Sequence, residues 1–331
     1  MAKLEKLQAL GVVSETTQGT AVAAVVTTDY IPLVEKPTVK PIVEIMQRNN
    51  LREAMGKLPF STGWSYSDVT FKMEILGASA SNTGYLPLDA LLKACGMTVT
   101  GGTGATDWTY ALSSANVTNF LGAATSCTIE YYADGLKHII QGCIGTYKII
   151  GEAGQTPMME FSMKGLYTAV TDTSMPNVTF RHNATIPKMK SAALTLNGGG
   201  AGSVVGYCQK VEIDIANKIE FVPDVSNATG LAGFRIVDRE PKATLNPEMA
   251  TVANFDWWAR YIAGTSLTTT AGLSCIFGNG ARNTLTVSAP DVQVSDVKYG
   301  SRNGIITAEV DLQLNETATG NDAFSVVVDN A

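Results

Sequence analysis

The sequence is short of charge. Lys, Arg, Asp and Glu make up 16 % of its 331 residues, against roughly 25 % in ordinary soluble proteins. A free monomer keeps itself soluble with charge, so the deficit points to a surface largely covered by neighbouring subunits. Histidine is scarcer still, with only His138 and His182. General bases are therefore few, and no Ser or Cys stands in a nucleophile turn of the G-x-S-x-G kind. The five cysteines (Cys95, Cys127, Cys143, Cys208 and Cys275) are odd in number, and none lies at metal-ligand spacing from another Cys or a His. They read as small buried hydrophobes of a reducing compartment. The glycine clusters at 101–104 and 198–202 lack the Lys-Ser/Thr of a phosphate-binding loop. No EF-hand loop is present. The expectation is a protein without enzymatic activity, cofactor or metal.

Long apolar runs are missing too. "AVAAVV" at 21–26 is far too short to span a bilayer. The opening "MAKLEKLQALGVV" is broken by Glu5 and Lys6 before any apolar core with a cleavage site. No membrane partner is expected, and the compartment is a cytoplasm. Basic excess is also lacking: 24 Lys and Arg face 30 Asp and Glu, a net charge of −6. A surface that grips phosphates displaces counterions with basic patches, so tight nucleic-acid binding is excluded. A surface that DNA passes without sticking is not.

What is plentiful is Thr, Ser, Gly and Asn, with short Val/Ile/Thr segments between turn residues. That pattern predicts a mainly β fold. Two segments have helical period instead. In "LPLDALLKACG" (86–96), Leu88, Leu91, Leu92 and Cys95 form one stripe, Pro87 suits the first turn and Gly96 the stop. In "NFDWWARYIAG" (254–264), Phe255, Trp258 and Ile262 fall at i, i+3 and i+7, while Trp257 and Tyr261 are i, i+4 neighbours. Asn254 is placed to cap this second helix and Gly264 to end it. Leu88, Leu91, Leu92, Trp257, Trp258 and Ile262 are the residues expected to pack the helices onto a sheet. The tryptophan pair could alternatively form a sugar platform.

The surroundings of the two helices correspond. "PIVEIMQ" (41–47) and "VTFKMEIL" (69–76) precede the first, and "KVEIDI" (210–215) and "PKATLNPEM" (241–249) precede the second. After each helix a strand runs into Asp134-Gly135 or Asn279-Gly280, strong hairpin dipeptides, and a last strand follows. The period is about 150–170 residues, which makes two divergent copies of one unit rather than a solenoid. The expected organisation is an N-terminal arm (1–40), a first domain (41–190), a second (191–316) and a C-terminal tail (317–331). Residues 97–119 read as an added loop and 195–206 as a flexible Gly-rich junction.

Two features look outward. The stretch 47–57 carries Arg48, Asn49, Asn50, Arg52 and Lys57 in an otherwise acidic chain, and reads as a docking arm for an acidic neighbour. Glu44, Glu74, Glu212, Asp214, Glu309 and Asp311 recur singly on predicted strands, as on a wetted sheet face. That recurrence does not resemble the paired carboxylates of a glycosidase.

The order of "GVVSETTQGTA" (11–21), "EIMQRNN" (44–50), "LPLDALLKACG", "TYALSS" (109–114) and "EYYADGLKHIIQGCIGTYKIIGEAGQTPMMEFSMKGLY" (130–167) resembles bacteriophage tail tube proteins. The resemblance covers 5–170 well and 205–315 through the repeat. It implies two tandem β-sandwich or split-barrel domains, each with a short flanking helix. Family members close six such domains into a ring and stack the rings into the conduit for genome ejection. With two domains per chain, the implied assembly is a homotrimer with pseudo-sixfold symmetry. It would be made in the host bacterial cytoplasm and sit in the virion tail. Its partners would be tape measure, terminator, and baseplate or tip proteins, with double-stranded DNA passing without tight binding. The acidic strand residues would line the lumen and the 47–57 arm would bridge rings. The competing reading is a monomeric β-sandwich carbohydrate-binding or adhesion module.

Overall fold

A computed structural model describes residues 4–48, 50, 51, 53, 55–75, 86–101, 107–115, 126–178, 187–190, 193–196, 207–278 and 284–329. It is mainly β, 59 % strand against 6 % helix. The first half contains β1 (Gln8–Ser14), β2 (Tyr30–Ile31), β3 (Thr38–Met46), β4 (Ser61–Glu74), α1 (Leu86–Ala94), β5 (Met97–Thr100), β6 (Asp107–Leu112), β7 (Cys127–Ala133), β8 (Leu136–Glu152) and β9 (Met158–Asp172). The second contains β10 (Leu194–Leu196), β11 (Cys208–Asp214), β12 (Asn217–Pro223), β13 (Leu231–Arg239), β14 (Lys242–Pro247), α2 (Trp257–Ala263), β15 (Leu267–Gly278), β16 (Thr284–Arg302), β17 (Ile305–Asn315) and β18 (Ser325–Asp329).

One antiparallel pairing order occurs twice. In the first half β3 bonds β4, β4 bonds β9, β9 bonds β8 and β8 bonds β7. In the second β11 bonds β14, β14 bonds β17, β17 bonds β16 and β16 bonds β15. Each half carries its helix between the second and third of these strands along the chain. The registers match apart from one extra residue in β16 between Val294 and Asp296: Val69 faces Met163 as Ala243 faces Leu312, and Lys148 faces Glu160 as Lys298 faces Glu309. The similar strings "PIVEIMQ" and "KVEIDI" do not coincide in this frame. Val39 faces Val69 as Ile213 faces Ala243, so Thr38, not Glu44, holds the place of Glu212.

The turns follow local chemistry. Asp134 and Gly135, at φ 45° and 84°, close the β7–β8 hairpin with two left-handed residues, as a type I′ turn demands. Asn303 and Gly304, at φ 52° and 80°, do the same between β16 and β17, a signal the sequence carries in plain sight. Asn279-Gly280 lies outside the described residues, as do residues 197–206 of the Gly-rich junction.

Leu88, Leu91 and Leu92 of α1 are buried in a single core that runs through both halves. The second helix departs from expectation. Asp256, not Asn254, caps it, accepting from the Ala259 amide at 2.9 Å, while Gly264 ends it at φ 58°. Phe255 therefore precedes the helix and packs its ring on Trp257, 4.4 Å between centroids. Trp257 is 2 % exposed, but Ile262 is 82 % exposed and does not pack the core. The reason is phase: five residues at about 100° each carry Ile262 round to the side opposite Trp257. Trp258 is half-buried against the exposed Tyr299, 5.0 Å between rings.

Three segments read as arm, loop and tail are strands. β1 lies along β7, and β5 and β6 form a hairpin. β18 bridges β6 and β16, burying Phe324 and Val326. Glu15, the acidic residue of "SETTQGT", ties the first of these down. Its buried carboxylate accepts from the amides of Gly19 (2.8 Å) and Gly142 (2.7 Å) and from the hydroxyls of Ser126 (2.6 Å) and Thr128 (2.8 Å). Gly142 sits at φ 63° beside a register shift in β8, a conformation glycine adopts without strain.

Candidate assembly interface

The two halves meet through backbone. β8 bonds β7 along its first part, then takes β11 beside residues 148–152, from Lys148↔Asp214 to Glu152↔Lys210. Side chains seal this joint. Asn217 donates its amide to the carbonyls of Cys95 (2.8 Å) and Gly145 (2.9 Å) and accepts from Arg239 Nε (3.0 Å). Arg239 also donates to the Gly96 carbonyl (3.2 Å), so second-half residues finish the C-terminus of α1. Across the joint, Leu231, Phe234 and Ile236 of β13 form a cluster with Ile144 and Leu166, flanked by Trp64, Tyr66 and Ile219. Of these residues sequence reading singled out only Cys95 and Gly96, as parts of the first helix, since nothing local marks a contact between distant strands.

Each half of the joint has an unpaired counterpart. β16 corresponds to β8, and beyond Val292 it bonds only β17 among the described residues. β3 corresponds to β11 and among the described residues bonds only β4. Unpaired edges are sites where another chain adds a strand.

Of the expected docking arm, Arg48, Asn50 and Lys57 are exposed; Asn49 and Arg52 lie outside the described residues. Between them Leu51 and Met55 are fully exposed, large apolar groups with nothing over them in the single chain. The acidic residues divide. Glu212, Glu309 and Asp311 line one shallow basin of about 200 Å³ together with Lys210 and Lys298. They alternate along their strands with buried Val211, Ile213, Val310 and Leu312, so they occupy the face turned away from the core. Lysines temper that face: Glu212 pairs with Lys210 and, at 3.9 Å, with Lys148. Asp214 accepts from the Ala216 amide at 2.8 Å and Asp311 from the Thr244 hydroxyl at 2.9 Å. Glu74 ends β4 half-buried, and Glu44 is exposed on β3, apart from the basin.

His138 lies between the rings of Tyr131 and Tyr167, its Nδ1 3.2 Å from the Tyr167 hydroxyl. Burial lowers its pKa. The unfolded chain takes up this proton near about 6.5 and the folded chain only at lower pH. Stability is therefore full above about pH 6.5 and declines as pH falls below it. An NMR titration should show a His138 midpoint below that of a model peptide; a midpoint above it would disprove the assignment. His182 lies outside the described residues. All five cysteines are free; burial pushes the Cys95 and Cys143 thiols far up and Cys275 to about 12, so these three are not activated nucleophiles.

The family model of the phage tail tube protein matches residues 6–314. The chain belongs to the phage tail tube protein family. No curated protein matches it. Tail tube membership gives the chain a structural role in the virion tail, where such proteins associate with themselves and with other tail proteins. No helix among the described residues is long and apolar enough to cross a membrane.

Proposed function

We propose that three copies of this chain close into a pseudo-sixfold ring, and that stacked rings form the conduit through which the phage genome leaves. The observation that carries this reading is the internal β8–β11 joint, whose two halves recur unpaired on β16 and β3. Each chain thus supplies two tube units already joined, and the next chain repeats the joint by laying β3 along the far part of β16. The repeat is imperfect in an informative way. Pro41 stands where Ile215 donates to the Tyr147 carbonyl at 3.2 Å, and Lys40 stands where Asp214 faces Lys148. The interchain joint loses a ladder bond and opposes two lysines, devices that keep a free edge from pairing prematurely. Free chains then wait for an initiating tail component before joining.

The basin face of Glu212, Glu309 and Asp311 becomes the lumen wall, where carboxylates interleaved with lysines offer DNA no basic track. The 48–56 loop reaches the next ring. Electron microscopy of the chain assembled with an initiating tail component, viewed end-on, tests the assembly. Hollow rings of three chains are expected, and rings of six would sink the two-unit reading. Deleting residues 48–56 should leave folding and single rings intact while abolishing stacking; tubes of normal length from that variant would refute the inter-ring role.

A further inference from the structure

The β12–β13 hairpin is folded back on the first unit. Phe234 is 1 % exposed, with its ring 5.5 Å from Tyr66, and Phe221 stacks on Trp64 at 5.3 Å. The β3–β4 hairpin is its counterpart by register. Val43↔Ser65 matches Asn217↔Arg239, and Ile45↔Thr62 matches Ile219↔Ile236. Phe60, two residues before Thr62, then stands where Phe234 stands before Ile236. Yet Phe60 is 56 % exposed and Ile45 54 %, with Val43 and Met46 exposed beside them. A hairpin that is buried in one unit is bare in the other.

The surface it would need exists. A groove of about 890 Å³ runs along the second unit, lined among others by Asp238, Glu240, Ser295, Leu314 and Asn315. By the same register Asp238 and Glu240 replace Trp64 and Tyr66, and Asn315 replaces Leu166. This is the seat that β12–β13 occupies on the first unit, here with nothing in it. We propose that the β3–β4 hairpin of a second copy fills this groove, seating Phe60 and Ile45 against β17 and bringing Val43 to the C-terminal end of α2. The proposal rests on the ring reading and names the side-chain contact that locks each interchain joint. Charge supports the choice of occupant: the groove carries Asp238, Glu240 and Glu316 beside Arg239 and Lys242, and the incoming hairpin brings Lys57, just outside its tip. The seat is more polar than its intrachain twin, so this contact is the weaker of the two. It also places the stem of the hairpin within a ring and leaves only its tip to reach the next one.

The test mixes two single variants of the full chain, Phe60→Cys and Glu240→Cys, assembles them and oxidises mildly. A disulfide between positions 60 and 240 can then form only between chains. The expected result is a linked dimer in the mixture, absent from either variant alone, with the 60–240 bridge identified by peptide mass mapping. Assembled rings without that bridge would overturn this inference and leave the ring standing. An unsubstituted chain that forms no rings even with an initiating tail component would overturn both. Phe60→Ser separates assembly from folding. Because Phe60 is half exposed in the single chain, the unfolding temperature should stay unchanged while the concentration needed for assembly rises about tenfold or more, as for a lost central anchor. Unaltered assembly would count against the contact.

Discussion

Glu15→Ala lowers the unfolding free energy by about 3–5 kcal/mol, the upper end of single-site effects, reached when a buried hydrogen-bond network is broken. The carboxylate collects four donors from three separate segments: Gly19 in its own loop, Ser126 and Thr128 at the start of β7, and Gly142 at the kink of β8. Removing it leaves these buried donors without an acceptor, each costing about 1–3 kcal/mol unless water enters. Glu15→Gln retains the shape but turns an NH2 towards donors, so it recovers only part of the loss. Urea unfolding at neutral pH measures both. A cost under about 1 kcal/mol for the alanine variant would show that β1 is held by its ladder with β7 alone.

Trp257→Ala is expected to cost about 3–5 kcal/mol, the usual result of emptying a large aromatic site in a packed core. Ile262→Ser on the same helix should stay within about 0.5 kcal/mol, as for an exposed position away from special contacts. The contrast follows from burial, with Trp257 enclosed beside Phe255 and Ile262 facing outward. It also bears on the sugar-platform alternative, because a platform needs two accessible rings and Trp257 presents none. Thermal unfolding of the two variants decides the matter; equal losses would mean that the helix packs the other way round.

Much of this fold is legible in the sequence, and the failures have causes. α1 shows itself because one stripe of Leu88, Leu91 and Leu92 meets one core. The Asp134-Gly135 hairpin shows itself because only a few dipeptides accept two left-handed residues. α2 misleads because its cap is Asp256 rather than Asn254, which takes Phe255 off the helix and leaves Ile262 without a stripe to join. The two "VEI" strings mislead because strand patterns alternate with period two, so a slip by an even number of residues leaves the pattern unchanged. β18 is invisible because its partners β6 and β16 are far away in the chain. The exposure of Phe60 is invisible for a deeper reason: it is an apolar residue just ahead of β4, and only comparison with buried Phe234 shows that its cover is missing.

The β8–β11 ladder has an arithmetical consequence. Because two units travel on one chain, any closed ring built from it holds an even number of them. A hexameric assembly of single units can miscount by one and close with five or seven, a small change of curvature. Here the smallest miscount is a whole chain, four units or eight. Bending every joint that far is strain spread over the entire circumference. In the proposed ring the covalent link would act as a counting device, narrowing the bore to a single width without any contact being strengthened.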